Sequence, residues 1–503
     1  MIGGGLAGLS SAVALAEAGL RVRLFEKRPH LGGRATSYLL PTGEHVDNCQ
    51  HVTFGCCCNL EDFYRRSGSA DKIRFYDRLV LVDPQGRRGI MKASKGWPAP
   101  FHMPSFVFFP LLGWRDKLSI ARAMFDIARA QGRPPDLDEG GAISMLEWLR
   151  RRRQTQRAID RFWRLVLVSA LSEEPDRIDA RYGVAVFWKA VLSNRSGYRM
   201  GVPAVPLAEL YEGCRAALER KGGKVVLRSP ARALRVENGA AAGVLFDDGR
   251  EEAADVYILA VPHSAVAELL PAAVLESDPA FAQAGKLKDA PITGVHFWFD
   301  RQVMSEPFLT ALDTTTQWIF NKTALYAGAN EDGGGAGGGQ YIQVVISASY
   351  GLLAKPRQEI IDLCLREVTR ILPGAQGARL VKATVIKETA ATFSPEPGCD
   401  AWRPGQETNI SGLFLAGDWT ATGWPATMEG AVRSGYLAAE AVLKAAGQPR
   451  TFLQPDLPVE GVSRWLGRGY IRRRISPVFR HGSTNTSALP GGNQRVSASG
   501  RAK

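Results

Sequence analysis

Ile2-Gly3-Gly4-Gly5-Leu6-Ala7-Gly8-Leu9, then Leu20-Arg-Val-Arg-Leu-Phe25-Glu26, then Gly32-Gly33-Arg34, decide the fold of this chain. Gly3, Gly5 and Gly8 make G-x-G-x-x-G: the first permits a tight turn, the second lets backbone approach a pyrophosphate, the third lets a helix lie close on a sheet. The helix that opens here aims the amides of Leu6 and Ala7 at the phosphates, where its dipole favours negative charge. At the end of the next strand, eighteen residues past Gly8, Glu26 is placed to accept from a ribose hydroxyl, with Lys27 beside it. Strand, acid and Gly-Gly-Arg at this spacing raise a weak motif to a specific one. A full strand normally leads into such a loop, so the sequence reads as starting late, with part of the first strand missing.

Working outward, 503 residues are too many for one compact core, so two domains are expected. Apolar content of 45% and charged content of 22% are those of a soluble globular protein. No apolar run is long enough to span a bilayer, and no leader is expected ahead of the glycine loop. The formal charge of +13 is concentrated late: nine of the 63 basic residues, and no acid, follow Val462. Without those nine the balance against 50 acidic residues is +4, which argues against nucleic acid as a partner. Seven cysteines, three of them adjacent (Cys56, Cys57, Cys58), lack both disulfide-framework and zinc-ligand spacing, so reduced thiols and no metal are expected.

Periodicity predicts a crossover helix over 8–19, a parallel strand over 20–25, and helices over 116–131, 142–153, 157–171, 205–220, 356–372 and 428–446. Strands are predicted over 224–228, 231–236, 243–246, 255–261, 292–299, 318–325, 340–347 and 380–387, with Gly333–Gly339 as a loop joining two of them. Residues 97–114 carry many aromatics broken by prolines, the pattern of a lid rather than a core strand. Beyond Gly447 periodicity fades, and residues 448–503 read as a basic, disordered tail.

The second half of a cofactor site lies near the end. Leu413-Phe-Leu-Ala-Gly-Asp418 is a short apolar strand delivering Gly417 for close approach and Asp418 as an acceptor for polyol hydroxyls. A helix then begins at Thr427–Met428, its amides suited to negative charge on the N1/C2 edge of a reduced flavin, with Trp424 and Pro425 beside the ring.

Together, Glu26-Lys-Arg-Pro-His-Leu-Gly-Gly-Arg34, Asp47-Asn-Cys-Gln-His51-Val, Gly417-Asp-Trp-Thr and Gly423-Trp-Pro-Ala-Thr-Met-Glu-Gly-Ala-Val-Arg-Ser-Gly435 resemble the flavin-containing amine oxidase and phytoene desaturase superfamily. They are most similar to its squalene-associated branch, the hydroxysqualene dehydroxylases of hopanoid biosynthesis. The resemblance covers residues 2 to about 446, with specific motifs at both ends. It implies an α/β flavoprotein: a Rossmann-like FAD-binding domain from 1–50, 205–265 and 395–447, and an inserted α+β substrate domain from 51–204 and 266–394 with a helical, apolar lid. It further implies that Gly3, Gly5, Gly8, Glu26, Gly33, Arg34 and Asp418 contact FAD, and that Ala231 holds the adenine through its backbone. Cys49 stands where the family carries glycine.

The implied reaction removes the hydroxyl of hydroxysqualene to give squalene. His51 is the candidate acid, since imidazole titrates near neutral pH; the competing reading is a histidine that bonds backbone beside the cofactor. A C30 isoprenoid comes from a bilayer, so peripheral attachment at the inner face of the cell membrane is expected, through Phe101–Trp114 and the basic stretch Arg464, Arg468 and Arg472–Arg474. The rival readings are a phytoene- or squalene-type desaturase and an amine oxidase. The sequence names no electron donor.

Overall fold

The computed structural model describes residues 1–94, 96–137, 141–327 and 338–474. Its organising element is a small parallel sheet: Lys224–Val226, Arg23–Phe25, the Met1–Gly3 segment, Tyr257–Leu259 and Leu413–Leu415, side by side in that order. Ile2 holds the centre, its N–H donating to Ile258 O and its carbonyl accepting from Ala260, while Gly3 N–H donates to Phe25 O. Apolar on both faces, these strands are the short, continuously hydrophobic runs of a buried parallel sheet. The glycine turn hangs from their C-terminal end and feeds the helix Leu6–Glu17.

That helix is buried along nearly all its length, and Met428–Ala445 lies directly on it. Gly435 makes the contact possible, since a Cβ there would sit 2.1 Å from Ser10 Oγ and 2.3 Å from Ala7 O. The two ends of the chain are thereby packed into one core.

The second layer is a seven-stranded sheet in the order Leu380–Phe393, Asp289–Phe299, Gln340–Ser347, Trp318–Asn321, Phe308–Ala311, Arg78–Val82, Arg88–Lys92. Alternation gives it two apolar faces. Val295, Phe297, Val344 and Val385 pack under the amphipathic helix Arg357–Ile371. Ile292, Val345, Trp318, Phe320 and Leu81 face a large cavity. Helices Trp114–Arg129, Met145–Arg151, Arg164–Leu171 and Ala180–Phe187 close the far side around Trp148, Trp163 and Phe187. This is a Rossmann-like domain carrying an α+β substrate domain, the expected fold class.

Several boundaries differ from expectation. Lys322–Tyr326 is a helical turn, not the end of a strand, because Asn321 caps it by accepting from Ala324 N–H. The helix Ala180–Phe187, started by Asp179, is absent from the expected elements; at eight residues it spans barely two turns, too few for a period to stand out. The strand expected over 380–387 runs on to Phe393. Most of the Gly333–Gly339 loop lies outside the described residues.

The tail is also different. Residues 448–467 lie against the body and are not disordered. Phe452 is buried, Phe452 and Leu453 N–H both donate to Glu440 Oε1, and Gln454 N–H donates to Asn59 Oδ1. Gly461–Arg474 is a helix, anchored where Ser463 Oγ donates to Leu192 O and Glu460 accepts from Ala99 N–H. Specific caps replaced the missing periodicity. Residues 475–503 lie outside the described ones.

Candidate active site

One cavity of about 1100 Å³ runs from the glycine turn to the helical lid. Gly3, Gly5, Leu6, Ala7, Glu26, Lys27, Gly33, Arg34, His51, Ala231, Gly417, Asp418, Trp424, Thr427 and Met428 all line it. Gly8 does not. It packs beneath the turn, where a Cβ would lie 2.0 Å from Gly3 O.

The turn is shaped for a bound dinucleotide. Gly3 has φ +105° and Gly33 φ +61°, and a Cβ on Gly3 would lie 2.4 Å from Ala260 O. The helix Leu6–Glu17 has no side-chain cap and no acid in its first turn. Its first amides open into the cavity as free donors, the arrangement that takes a phosphate. Glu26 is fixed by accepting from Gly4 N–H at 2.7 Å and Arg28 N–H at 2.8 Å. Its oxygens keep further lone pairs on the cavity side.

The C-terminal half meets this one through an ion pair. Arg34 Nη2 lies 2.7 Å from Asp418 Oδ1, and Arg34 Nη1 donates to Ala391 O at 2.9 Å. Burial works against the Arg34 charge, but Asp418, with the Glu388 and Asp289 charges, outweighs it and holds the guanidinium above its ordinary pKa. Behind Asp418 the chain arches through 417–425 around Arg403. That buried side chain donates to Asp418 O (3.1 Å), Thr420 O (2.6 Å) and Trp424 O (2.7 Å), as well as to Tyr182 Oη and to Asp400 Oδ1 (3.1 Å). Thr427 then caps Met428–Ala445 by accepting from Gly430 N–H. Glu429 in its first turn accepts from Asn59 N–H and Leu60 N–H, joining a second helix start to the same wall.

On the opposite wall is Asp47–His51. Cys49 has φ +61°, a backbone conformation that costs a side chain and explains why glycine suits this position. Its Sγ sits against Gly294, and burial pushes its thiol far above the ordinary range. His51 lines the cavity with Nδ1 3.4 Å from Cys49 O, and burial lowers its pKa. A neutral imidazole with that nitrogen directed at backbone fits the structural reading better than a protonated acid. Asp47 lies behind the loop, fully buried against Lys322 at 2.6 Å and Tyr326 Oη at 2.6 Å; Lys322 also donates to Gln50 Oε1. Burial opposes the Asp47 charge, and Lys322 overcomes it and keeps the carboxyl below its usual range. This pair braces the loop from outside the cavity.

Lys322, Arg403 and Glu388 escaped the sequence reading. The periodicity places Lys322 in the strand 318–325 and gives Arg403 no element. Neither carries a local motif, and their partners are distant in the chain.

From Trp97 to Met200 the cavity lining is hydrocarbon, aromatic or hydroxyl. Among the described residues it contains no carboxylate there, and its one charged side chain is Lys189. Trp97, Phe101, Val107 and Phe125 line the cavity and are also exposed, so the opening lies among them. Leu466 lines it too, turned inward rather than toward solvent as the tail reading had it.

The family model for flavin containing amine oxidoreductase matches residues 6–443. The 15-cis-phytoene desaturase of Solanum lycopersicum is 25% identical over 468 residues, covering 88% of this chain and 77% of that one. The zeta-carotene desaturase of a Synechocystis species is 26% identical over 474 residues, covering 88% and 96%. An oxidoreductase from Methanosarcina mazei shares the fold, with TM-score 0.67 and 19% identity over 88% of this chain and 99% of that one.

Proposed function

The chain belongs to the flavin containing amine oxidoreductase family and is an FAD-dependent oxidoreductase; on that premise we propose that its substrate is a C30 isoprenoid, hydroxysqualene, which it reduces to squalene. The carrying observation is the single cavity that joins the dinucleotide cradle to an almost purely apolar lid. Its volume of about 1100 Å³ exceeds the range of roughly 300–1,000 Å³ usual for one small ligand, which leaves room for a cofactor and a long hydrocarbon together. A lid lining without carboxylates gives the ammonium of an amine no acid to pair with there. The motifs at 26–34, 47–52 and 423–435 favour the squalene-associated branch.

FAD, when bound, supplies the hydride exchange. The protein holds it: the Leu6–Glu17 amides and Gly3–Gly5 take the pyrophosphate, Glu26 a ribose, Ala231 the adenine, Asp418 the ribityl chain, and the Trp424–Met428 turn the flavin edge. The lid excludes water from a reacting centre where a cation would otherwise be trapped by hydroxide.

A second reading is favoured by the relatives, which are named desaturases: the same cavity would then oxidise a carotenoid-type polyene. Anaerobic mixing of photoreduced protein with hydroxysqualene separates the two. Flavin reoxidation with squalene formed supports dehydroxylation; no reoxidation, together with reduction of the oxidised flavin by phytoene, replaces it with desaturation.

We further infer that the opening faces a bilayer. Phe108 is 83% exposed, Trp114 71% and Trp465 66%, and Phe101, Val107, Leu118 and Phe125 are exposed with them. Arg115, Arg122 and Arg464 flank this patch on exposed positions. Such an array suits insertion at an anionic interface, and it would let an insoluble substrate pass directly from lipid to cavity. Among the described residues no helix is long and apolar enough to cross a membrane.

A further inference from the structure

Beside the Arg34–Asp418 pair, the strand Leu380–Phe393 loses its regular pairing. Ala290 faces Thr392 and Ile292 faces Glu388, so Pro291 alone stands opposite residues 389–391. A bulge of this kind re-aims side chains, and bulges concentrate next to active sites. Here the Ala391 carbonyl released from the ladder is taken by Arg34 at 2.9 Å, which fixes the bulge to the cofactor cradle. Glu388 and Thr392, at its two ends, both face the cavity.

Asn48 completes the group. Its Nδ2 donates to Glu388 Oε2 at 3.0 Å and to Arg34 O at 2.8 Å, which fixes the side chain's orientation. Its Oδ1 is buried with no partner, and so is Thr392 Oγ1. Asn48 is 2% exposed and lines the cavity. Buried polar atoms are almost always satisfied, so two orphans on side chains that line the cavity beside the Arg34–Asp418 pair mark a missing polar ligand. Glu388 takes its hydrogen bond from the Asn48 amide, and the Arg34 guanidinium, the Tyr38 hydroxyl and the Cys49 thiol lie within its electrostatic reach.

We propose that Glu388, Asn48 and Thr392 form a hydroxyl-binding subsite in which Glu388 is the proton donor for departure of an allylic alcohol. The assignment rests on the dehydroxylation reading. Asn48 Oδ1 accepts from the substrate hydroxyl, Thr392 Oγ1 donates to its oxygen, and the Glu388 carboxyl proton passes to that oxygen. The allylic C–O bond then breaks and water leaves. Glu388 is left as a carboxylate, to be reprotonated from solvent. FAD, bound in the reduced state, would supply the two electrons that the alcohol carbon must gain for the balance to close. The subsite also accounts for discrimination, since buried groups built to bond a hydroxyl are left unpaired by the hydrocarbon lacking it.

The test uses full-length, FAD-loaded protein, photoreduced without oxygen and mixed with hydroxysqualene, with squalene as the non-hydroxylated control. Wild type should reoxidise and form squalene. Glu388→Gln should keep its flavin content and visible spectrum and lose at least about 100-fold in single-turnover rate; Glu388→Asp should recover part of the rate. Asn48→Ala should weaken hydroxysqualene binding about tenfold while leaving squalene binding unchanged. A Glu388→Gln enzyme that turns over like wild type, or that loses flavin, overturns the subsite alone. A wild type that makes no squalene overturns the dehydroxylation reading, and the subsite with it.

Discussion

Arg34 and Asp418, 384 positions apart in the chain, meet in a 2.7 Å ion pair on the wall of the cavity. The pair joins the Gly-Gly-Arg turn to the end of the last parallel strand, so either residue reports on both halves of the cradle. Asp418→Asn removes the counter-charge and leaves a buried guanidinium, a change that costs about 1–3 kcal/mol. We expect FAD affinity to fall at least about tenfold, read by flavin retained after desalting. Arg34→Ala should do the same and also free the Ala391 carbonyl.

Arg403 carries the arch 417–425 on three backbone carbonyls. Arg403→Met leaves those carbonyls buried and unpaired and should cost about 3–5 kcal/mol. Arg403→Lys should recover only part, because an ammonium lacks the planar fork. Thermal melts with and without added FAD check this: the Met variant should lose most of the cofactor-induced rise in Tm.

His51→Ala should keep FAD and lose less than about tenfold in turnover, since burial holds the imidazole neutral and one ring nitrogen is directed at Cys49 O. A loss in the range of roughly 10²–10⁴-fold, typical of a removed acid, would restore the catalytic reading. Steady-state rates at matched flavin content decide it.

His296, fully buried with Nδ1 2.7 Å from Tyr341 Oη, has its pKa pulled down to about 3. Burial is the main cause; the Lys322 charge adds to it and the Asp47 charge opposes it. Below its unfolded value near 6.5, the unfolded chain binds a proton the native one refuses. Stability therefore falls as pH drops from 6.5 toward 3, by up to about 1.4 kcal/mol per pH unit from this group. His296→Gln should flatten that acid limb, measured as urea midpoints at pH 7 and pH 5.

The exposed aromatics at the opening predict binding to vesicles of phosphatidylglycerol above vesicles of phosphatidylcholine. Replacing Phe108 and Trp114 by Asp should weaken sedimentation with anionic vesicles at least about tenfold, since each large apolar side chain is worth roughly 1.5–3 kcal/mol on burial. Unchanged binding would remove the bilayer from the proposal.

That the glycine turn, Glu26 and the 417–428 segment line one cavity was legible because the parts are local: a turn, an acid at the end of the next strand, a helix entry. Gly3, Glu26 and Asp418 announce themselves by spacing. Asp47–Lys322 and the Arg403 arch did not, since each is a meeting of residues whose separation carries no period. The bulge at 389–391 was hidden for another reason: the strand was read as ending at Lys387, and nothing in a β-rich run marks where pairing slips. The segment 448–467 was misread because its order comes from single hydrogen bonds, at Glu440, Asn59 and Leu192, rather than from an amphipathic stripe.

The strap formed by that segment also sets a schedule for assembly. At synthesis rates of roughly 5–20 residues per second, Arg34 waits on the order of 20–80 s before Asp418 exists. Leu466, later still, completes the cavity wall. The glycine turn therefore emerges long before the strand, helix and strap that complete the wall around it.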